Sequence, residues 1–540
     1  MKRKAVAAVL TAVMVASMFT GCGSDNGSSS AKSASAASAA SAANDTVDED
    51  GKVNGIMYQE GLPLVDEGDY TFSIFCDDSS ESGEFIMLDE FKKQTNVDVD
   101  LKIYPYETAT ERLNLDLNSG DYADVIGGWT LSDNAILTYG VNQGVFIPLE
   151  DYFEKYCPNI SAILDLPGVR EKMTAPDGHI YTIPYVCGDT TVGYSPYINT
   201  KWLENVGMSM PTTTDEFEAV LKAFKEQDAN GNGDASDEIP FSTDPNNKHI
   251  EAMAGYFGLP MNKLGIAIQD EKVVYGGVSN TYREFLSWFH KLYADGLVDV
   301  ELYTQDSSTW EGKGNQDLYG VSIAYGSNEF TGIPAAEERG DFDSMPVLNT
   351  DKGGIWLRDT EGFSVYRTQA VITNKAEHPE IICRWFDNAF ALENGIGCNR
   401  GPVGVIVNKE DDGYHAIDTT TLSEEDQEKY SWSNLWPQSL PKYLPADFEF
   451  VEEHPMYDEK KATEEAYEAN LTKEIIPSYW IDLDKIDTFS DTNTAIKDFF
   501  EQQQAQFVCG ELDIDNDADW QAYVDGMYSL GLEDWVATQG

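Results

Sequence analysis

Between Tyr70 and Ile126 the spacing of apolar side chains changes from strand period to helix period and back twice, and that alternation confines the chain to one class of architecture. Tyr70-Thr-Phe-Ser-Ile-Phe75 alternates as a strand does and stops at Cys76-Asp77-Asp78, whereas Glu84 to Gln94 carries Phe85, Met87, Leu88 and Phe91 at helical spacing. Val97-Asp-Val-Asp-Leu-Lys-Ile103 returns to the strand period, a second helix covers Thr110 to Asn118, and Ala123-Asp-Val-Ile126 closes the series as a strand. The order predicts a parallel sheet with helices on its faces, an α/β fold. In open sheets of this kind ligands gather beyond the carboxyl ends of strands, which makes Asp77 and Trp129 cleft candidates. The alternatives are a helix cap for Asp77 and a packed core aromatic for Trp129.

Ahead of this region the chain carries an address. Lys2, Arg3 and Lys4 form a basic start, Ala5 to Met18 form an apolar run too short to span a bilayer comfortably, and Phe19-Thr-Gly-Cys22 ends it, which together read as an export signal. Gly23 to Ala43 is almost entirely Ser, Ala, Gly and Asn and offers no large apolar side chain to bury, so residues 23–66 are expected to be a disordered tether with order beginning near Asp69. A small residue before Cys22, with a Ser/Ala leash behind it, resembles the lipobox of bacterial lipoproteins. That resemblance implies a signal peptide at 1–22, a lipid (palmitate-type) group on the Cys22 sulfur, and a protein anchored at the extracellular face of the cell membrane. Phe19 stands where Leu is usual, and the alternative is a plain secretory signal with an incidental cysteine.

The charge excludes one large class of partner. With 94 acidic and 36 basic residues the formal charge is −58, and after the signal no cluster of Lys and Arg appears, so nucleic acid is not a partner. No apolar run after Cys22 approaches the roughly 20 residues that cross a bilayer. Six cysteines follow Cys22, at 76, 157, 187, 383, 398 and 509; none forms a C-x-x-C and none has a His at zinc-ligand spacing, so their pairing stays open.

Several stretches in series resemble one family. Phe146-Ile-Pro-Leu-Glu-Asp-Tyr-Phe-Glu-Lys-Tyr156, Asp177-Gly-His-Ile-Tyr-Thr-Ile-Pro184, and Asn199-Thr-Lys-Trp-Leu203 leading to Pro211-Thr-Thr-Thr-Asp-Glu-Phe217 are similar to extracellular solute-binding proteins of family 1, the lipid-anchored receptors of carbohydrate ABC importers. Trp288 to Leu297, Asn374 to Glu380 and Tyr523 to Trp535 continue the likeness over nearly all the mature chain. It implies a two-lobed, periplasmic-binding-protein-like (type II) fold with a hinge and an interlobe cleft that holds sugar. Lobe 1 is expected at 67–187 and 357–400, and lobe 2 at 188–356 and 401–540. The implied partners are ABC permease subunits and a carbohydrate ligand, with the protein itself a monomer.

Asp228-Ala-Asn-Gly-Asn-Gly-Asp-Ala-Ser-Asp-Glu238 places oxygen side chains at alternate positions with a Gly where an EF-hand loop turns, a pattern that wraps oxygens around one hard cation. The twelfth position is Ile239 and Glu238 falls one place early; shortened loops of this kind belong to the resembled family. The expected calcium ligands are the side chains of Asp228, Asn230, Asn232 and Glu238 with the Asp234 carbonyl, and the ion's role is structural. An Asn/Gly/Asp turn without an ion is the alternative.

Sugar rings present apolar faces ringed by hydroxyls, so their sites need aromatic platforms beside polar groups. Tyr185, Tyr325 and Trp356 are placed at lobe edges, Trp310 and Trp129 on loops, and Arg400 can fork two hydroxyls. With Asp77 these are the expected ligand contacts. A secreted glycoside hydrolase is the rival reading, but carboxylate pairs carry no information in so acidic a chain, and no G-x-S-x-G, H-E-x-x-H or phosphate loop is present. A surface glycan-binding lipoprotein without a transport role is the third.

Overall fold

The computed structural model describes residues 45–540 apart from 79–83, 189–190, 245–248, 270–271, 333–339, 361–362, 452–454, 477–479 and 539–540. Cys22, the export signal and the tether as far as residue 44 lie outside the described residues. Order begins earlier than Asp69. Lys52–Val53 (β1) pairs with Met57–Tyr58 (β2) as an antiparallel hairpin, and Val53, Met57, Leu64 and Val65 are at most 1% exposed. These four side chains fasten residues 45–66 to the first core; spread among Gly and Asp turns, they leave no readable period in the sequence.

The remaining strands are Tyr70–Asp77 (β3), Val97–Tyr104 (β4), Val125–Gly127 (β5), Thr182–Cys187 (β6), Ser195–Asn199 (β7), Ile239–Thr243 (β8), Ile266–Gln269 (β9) and Lys272–Tyr275 (β10). They continue with Tyr319–Ala324 (β11), Phe342–Ser344 (β12), Ser364–Ile372 (β13), Val407–Glu410 (β14), Gly413–Ala416 (β15) and Tyr443–Leu444 (β16). A six-stranded sheet has the order β16-β6-β13-β5-β3-β4 and a four-stranded sheet the order β12-β7-β11-β8. The predicted strand-helix series is present: β3 pairs in parallel with both β4 and β5, and the helices Ile86–Thr95 (α1) and Tyr106–Ser119 (α2) connect them.

Alternation along each strand divides the first sheet's side chains between two layers. Ile74, Val125, Ala370 and Ile372 enter one cluster with Trp385 and Trp436, while Phe75, Ile126 and Val371 enter another with Tyr181 and Ile136. The second sheet supplies Ile198, Phe241, Val321 and Ile323 to a separate and larger core, against the amphipathic helices Thr214–Glu226 and Asn280–Ala294. A first sheet packed on both faces and a second sheet with a core of its own are the layered signature of a two-lobed α/β molecule.

Strand direction fixes where the halves meet. β13 runs antiparallel to both β5 and β6, and β16 runs parallel to β6, so Asp77, Gly127, Cys187 and the start of β13 share the carboxyl edge of the first sheet. In the second sheet β7 runs antiparallel to β11 and β12, so its start lies with the ends of β8 and β11. The crossings from β6 to β7 and from β12 to β13 therefore both leave one carboxyl edge and enter the other. They are bonded to each other: the Asp359 amide donates to the Thr191 carbonyl at 3.0 Å, and the Gly193 amide donates to Asp359 Oδ2 at 2.7 Å. A Cβ at Gly193 would lie 2.4 Å from that oxygen, so a larger residue would have to displace the Asp359 carboxylate. A third crossing follows β16 and enters the helix Pro455–Tyr467, whose Glu464 accepts the Thr191 amide at 2.7 Å.

The chain does not pass to the second core at residue 401 as expected. Trp436 and Leu440 are buried in the first core and β16 joins its sheet, so the segment through Leu444 stays there. Ile481 and Ile486 pack on that half again, and the helix Ile486–Cys509 then carries Ile496, Phe500 and Phe507 into the second core.

Candidate functional site

At the carboxyl edge of the first sheet Asp77 is fully buried, and its carboxylate accepts the amides of Trp129 at 3.0 Å and Thr130 at 2.6 Å. Burial raises its pKa, and these two N–H bonds work the other way. Asp77 is thus neither a helix cap nor an exposed ligand group; it anchors the turn that presents Trp129. Trp129 is 44% exposed and meets the Tyr366 ring edge-on at 5.3 Å, and Tyr366 in turn stacks on Tyr185 at 5.5 Å with an interplanar angle of 18°. The row of three rings sits across β5, β13 and β6.

Beneath the row lies Lys442. Its ammonium is 5.0 Å from the Tyr185 ring centre and donates to Gln438 Oε1 at 2.9 Å, and burial lowers its pKa to about 8. The Tyr185 hydroxyl reaches Asn399 Oδ1 at 3.5 Å, and the neighbouring Arg400 donates to the Asn399 carbonyl at 3.2 Å. Of the expected ligand contacts, the structure brings Tyr185, Trp129, Asp77 and Arg400 to this one edge.

The carboxyl edge of the second sheet carries a different set. Tyr325 directly follows β11, is 36% exposed, and has Lys460 Nζ 3.7 Å from its ring centre. Lys460 also donates to the Gly193 carbonyl at 2.8 Å, which ties this platform to the first crossing. Tyr194, just before β7, meets Tyr325 edge-on at 6.1 Å and stacks on His249 at 4.1 Å. Glu329 accepts the Tyr325 amide at 2.9 Å, and burial, with Asp244 and Glu311 adding, pushes its carboxyl up to about 7. Burial also holds His249 down to about 4, so it stacks as a neutral ring.

Two of the expected platforms are packing residues. Trp310 is 3% exposed, donates to Ser322 Oγ at 3.1 Å and packs on Phe330; Trp356 is 2% exposed between Tyr256 and Tyr467. Trp310 lies in the helix Ser307–Asn315 and Trp356 in the crossing between β12 and β13, and both rings are consumed by the cores. Sequence reasoning missed Tyr366, Tyr194, Lys442, Lys460 and Glu329. Tyr194 and Tyr366 flank the two crossings, a position that could have singled them out, whereas Lys442 and Lys460 arrive from distant segments and leave no local signal.

Away from this edge, the loop after the helix Thr214–Glu226 is shaped by its own side chains. Asp228 Oδ2 accepts the Gly233 amide at 3.0 Å, Asn230 Oδ1 the Asn232 amide at 3.0 Å, Asn232 Oδ1 the Asp234 amide at 2.7 Å, and Glu238 Oε1 the Ala229 amide at 2.8 Å. Asp234 spends its carboxylate on Ser236. Asp228 Oδ1 and Glu238 Oε2 are buried without a hydrogen-bond partner. Two orphaned carboxylate oxygens at the two ends of one loop fit a bound cation, since each otherwise stays desolvated and unsatisfied.

The six described cysteines are free thiols: Cys76, Cys157, Cys383 and Cys398 are buried, Cys187 is half-buried and Cys509 is exposed. Among the described residues no helix is long and apolar enough to cross a membrane.

Comparison with known proteins bears on this geometry. The family model of the bacterial extracellular solute-binding protein matches residues 78–395. The fructooligosaccharide ABC transporter substrate-binding protein FusA of Streptococcus pneumoniae is 32% identical over 411 residues, covering 74% of this chain and 70% of its own. Its structure in complex with kestose superimposes with a TM-score of 0.75 at 26% identity, over 87% of this chain and 98% of that one, and a second FusA structure, at 25% identity, TM-score 0.74 and the same coverage, is of an EF-hand mutant. A polygalacturonan/rhamnogalacturonan-binding protein of Bacillus subtilis is 27% identical over 146 residues, 27% of this chain and 28% of its own.

Proposed function

The chain belongs to the bacterial extracellular solute-binding proteins, and from that premise we propose that it captures an oligosaccharide between its two halves and delivers it to the permease of an ABC importer. It is a binding protein and not an enzyme, and its family places it outside the cell or at the membrane. The observation that carries the proposal is the pair of aromatic carboxyl edges, Trp129-Tyr366-Tyr185 on one sheet and Tyr325-Tyr194 on the other, tied by crossings that start and end at those edges. Such crossings act as a hinge, because rotation about a few bonded segments moves one edge toward the other while each core stays packed. Ligand held from both edges stabilises the closed state, and the permease reads that state.

The proposed lobes are 67–187 and 357–400 extended through Leu444, and 188–356 with the terminal helices. Trp129, Tyr185 and Tyr325 are proposed to touch ligand, with Arg400 beside them and Asp77 holding Trp129 in place. Lipidation of Cys22, a membrane anchor and a monomeric state complete the reading, on the strength of the lipobox resemblance and the receptor role. The loop Asp228–Glu238 is proposed to hold calcium through Asp228, Asn230, Asn232 and Glu238 with the Asp234 carbonyl, where the ion's charge satisfies the two orphaned carboxylate oxygens and pins the loop.

Thermal unfolding tests both parts. A saturating sugar from a panel of plant, host and microbial glycans is expected to raise the midpoint, since a ligand at about 100 times its Kd stabilises by about 2.7 kcal/mol. Calcium added to chelated protein is expected to raise it independently. A panel without any responder contradicts the capture role, and a midpoint indifferent to calcium removes the ion.

A further inference from the structure

Trp129 is the most exposed of the three rings on the first edge, and the turn that carries it is held at both ends. At its start Asp77 accepts the Trp129 and Thr130 amides. At its far end the short helix Asp133–Ala135 begins, and there Arg367 takes both oxygens of the Asp133 carboxylate: Nε donates to Oδ1 at 2.8 Å and Nη2 to Oδ2 at 2.6 Å. This is the paired fork by which a guanidinium fixes the plane and the direction of a carboxylate, and a lysine cannot reproduce it. Arg367 itself is 6% exposed. Its guanidinium lies 4.1 Å from the centre of the Trp480 ring, and Trp480 Nε1 donates at 3.0 Å to the Lys172 carbonyl, which also accepts a longer bond from Arg367 Nη1 at 3.4 Å.

The local shape of β13 explains how one strand reaches this turn so fully. Arg367 directly follows Tyr366, the middle ring of the row, and the pairing of β13 with β6 shifts register between Tyr366 and Ala370. Neighbouring side chains of a regular strand point to opposite faces, and an irregularity of this kind re-aims them. Here three residues serve one turn: the Tyr366 ring meets Trp129 edge-on at 5.3 Å, Arg367 holds Asp133, and the Gln369 carbonyl accepts the Gly128 amide at 2.8 Å. Beyond Asp133 the chain is buried, with Ile136 and Leu137 packed in one cluster with Ile481 and Ile486 from the segment that brings Trp480. A ring that must lie against a sugar gains affinity from being fixed beforehand, because ordering it on binding costs free energy.

Resting on the oligosaccharide reading above, we propose that Arg367 is a positioning residue for sugar binding: through the Asp133 carboxylate it holds the Trp129 turn in the conformation that receives the ligand. Arg367 touches no sugar itself, and its effect on affinity passes through the Trp129 ring.

Hydrogen exchange without sugar and calorimetry with it test the proposal, using Arg367→Lys, which keeps the charge and loses the fork. Exchange of the Trp129 and Thr130 amides is expected to quicken at least tenfold in this variant, while the amides of β7 and β11 in the second sheet keep their wild-type rates. Calorimetry with kestose and with plant, host and microbial glycans is expected to show at least fivefold weaker binding of each sugar that binds the wild type. In a Trp129→Ala background the same substitution is expected to cost less than twofold, because the ring through which it acts is gone. An ion pair that only supports the fold would weaken both backgrounds alike. Asp133→Asn, which keeps one acceptor and loses the other, is expected to show the same pattern and keeps the test available should Arg367→Lys unfold early. Wild-type exchange at Trp129 and Thr130 in the folded variants overturns the proposal, and so does an equal loss of affinity with and without the Trp129 ring; both leave the oligosaccharide reading intact. If no sugar binds the wild type while exchange quickens as expected, the oligosaccharide reading fails and the hold of Arg367 on the turn stands.

Discussion

Alanine at Trp129 and Tyr325 together is expected to weaken ligand binding by more than tenfold, which corresponds to about 1.4 kcal/mol. The two rings sit on opposite edges, 44% and 36% exposed, so neither is needed to fill a core, and each presents a face to whatever lies between. With ligand held from both sides as proposed, removing one ring leaves the other half of the contact, and the two losses should add approximately. Stability should change little, as exposed side chains away from special features usually contribute within about 0.5 kcal/mol. Calorimetry with any sugar that binds the wild type reads the effect. Unchanged affinity in a folded double variant would mean that the pocket lies elsewhere.

Gly128→Ala should cost about 3 kcal/mol of stability and weaken binding as well, although residue 128 carries no side chain that could touch a ligand. Gly128 has φ +134°, a conformation that L side chains rarely adopt, and a Cβ there would come within 2.4 to 2.6 Å of the three carboxyl atoms of Asp77. That carboxylate holds the Trp129 and Thr130 amides, and hydrogen bonds to a charged group are each worth about 1.5–3 kcal/mol. The substitution must push the carboxylate aside or move the turn, and in either case Trp129 loses its anchor. Denaturant unfolding reads the first effect and calorimetry the second. A variant with wild-type midpoint and wild-type affinity would show that Asp77 does not position Trp129.

The sequence makes legible what depends on neighbours along the chain. Tyr70 to Ile126 read as alternating strand and helix because each element carries its own period, and Tyr319 to Ala324 read as a strand for the same reason. The hairpin at residues 52–58 did not, since two-residue strands have no period and their burial is decided by a core built mostly from later residues. The site divides in the same way. Asp77 ends strand β3 and Trp129 lies two residues past β5, the positions from which both were expected at the cleft. Trp310 and Trp356, expected at the ligand from a loop and from a lobe crossing, are buried, because position along the chain does not tell which way a ring turns. Tyr366, Lys442 and Lys460 join Tyr185 and Tyr325 through strand pairing and a helix formed far along the chain, so no window of sequence contains the contact.

The central claim is that two halves close over a captured solute, and small-angle X-ray scattering with and without a saturating glycan measures it most directly. Closure predicts a smaller radius of gyration with ligand, reversed when the ligand is dialysed away. An identical scattering curve at proven saturation would contradict the account.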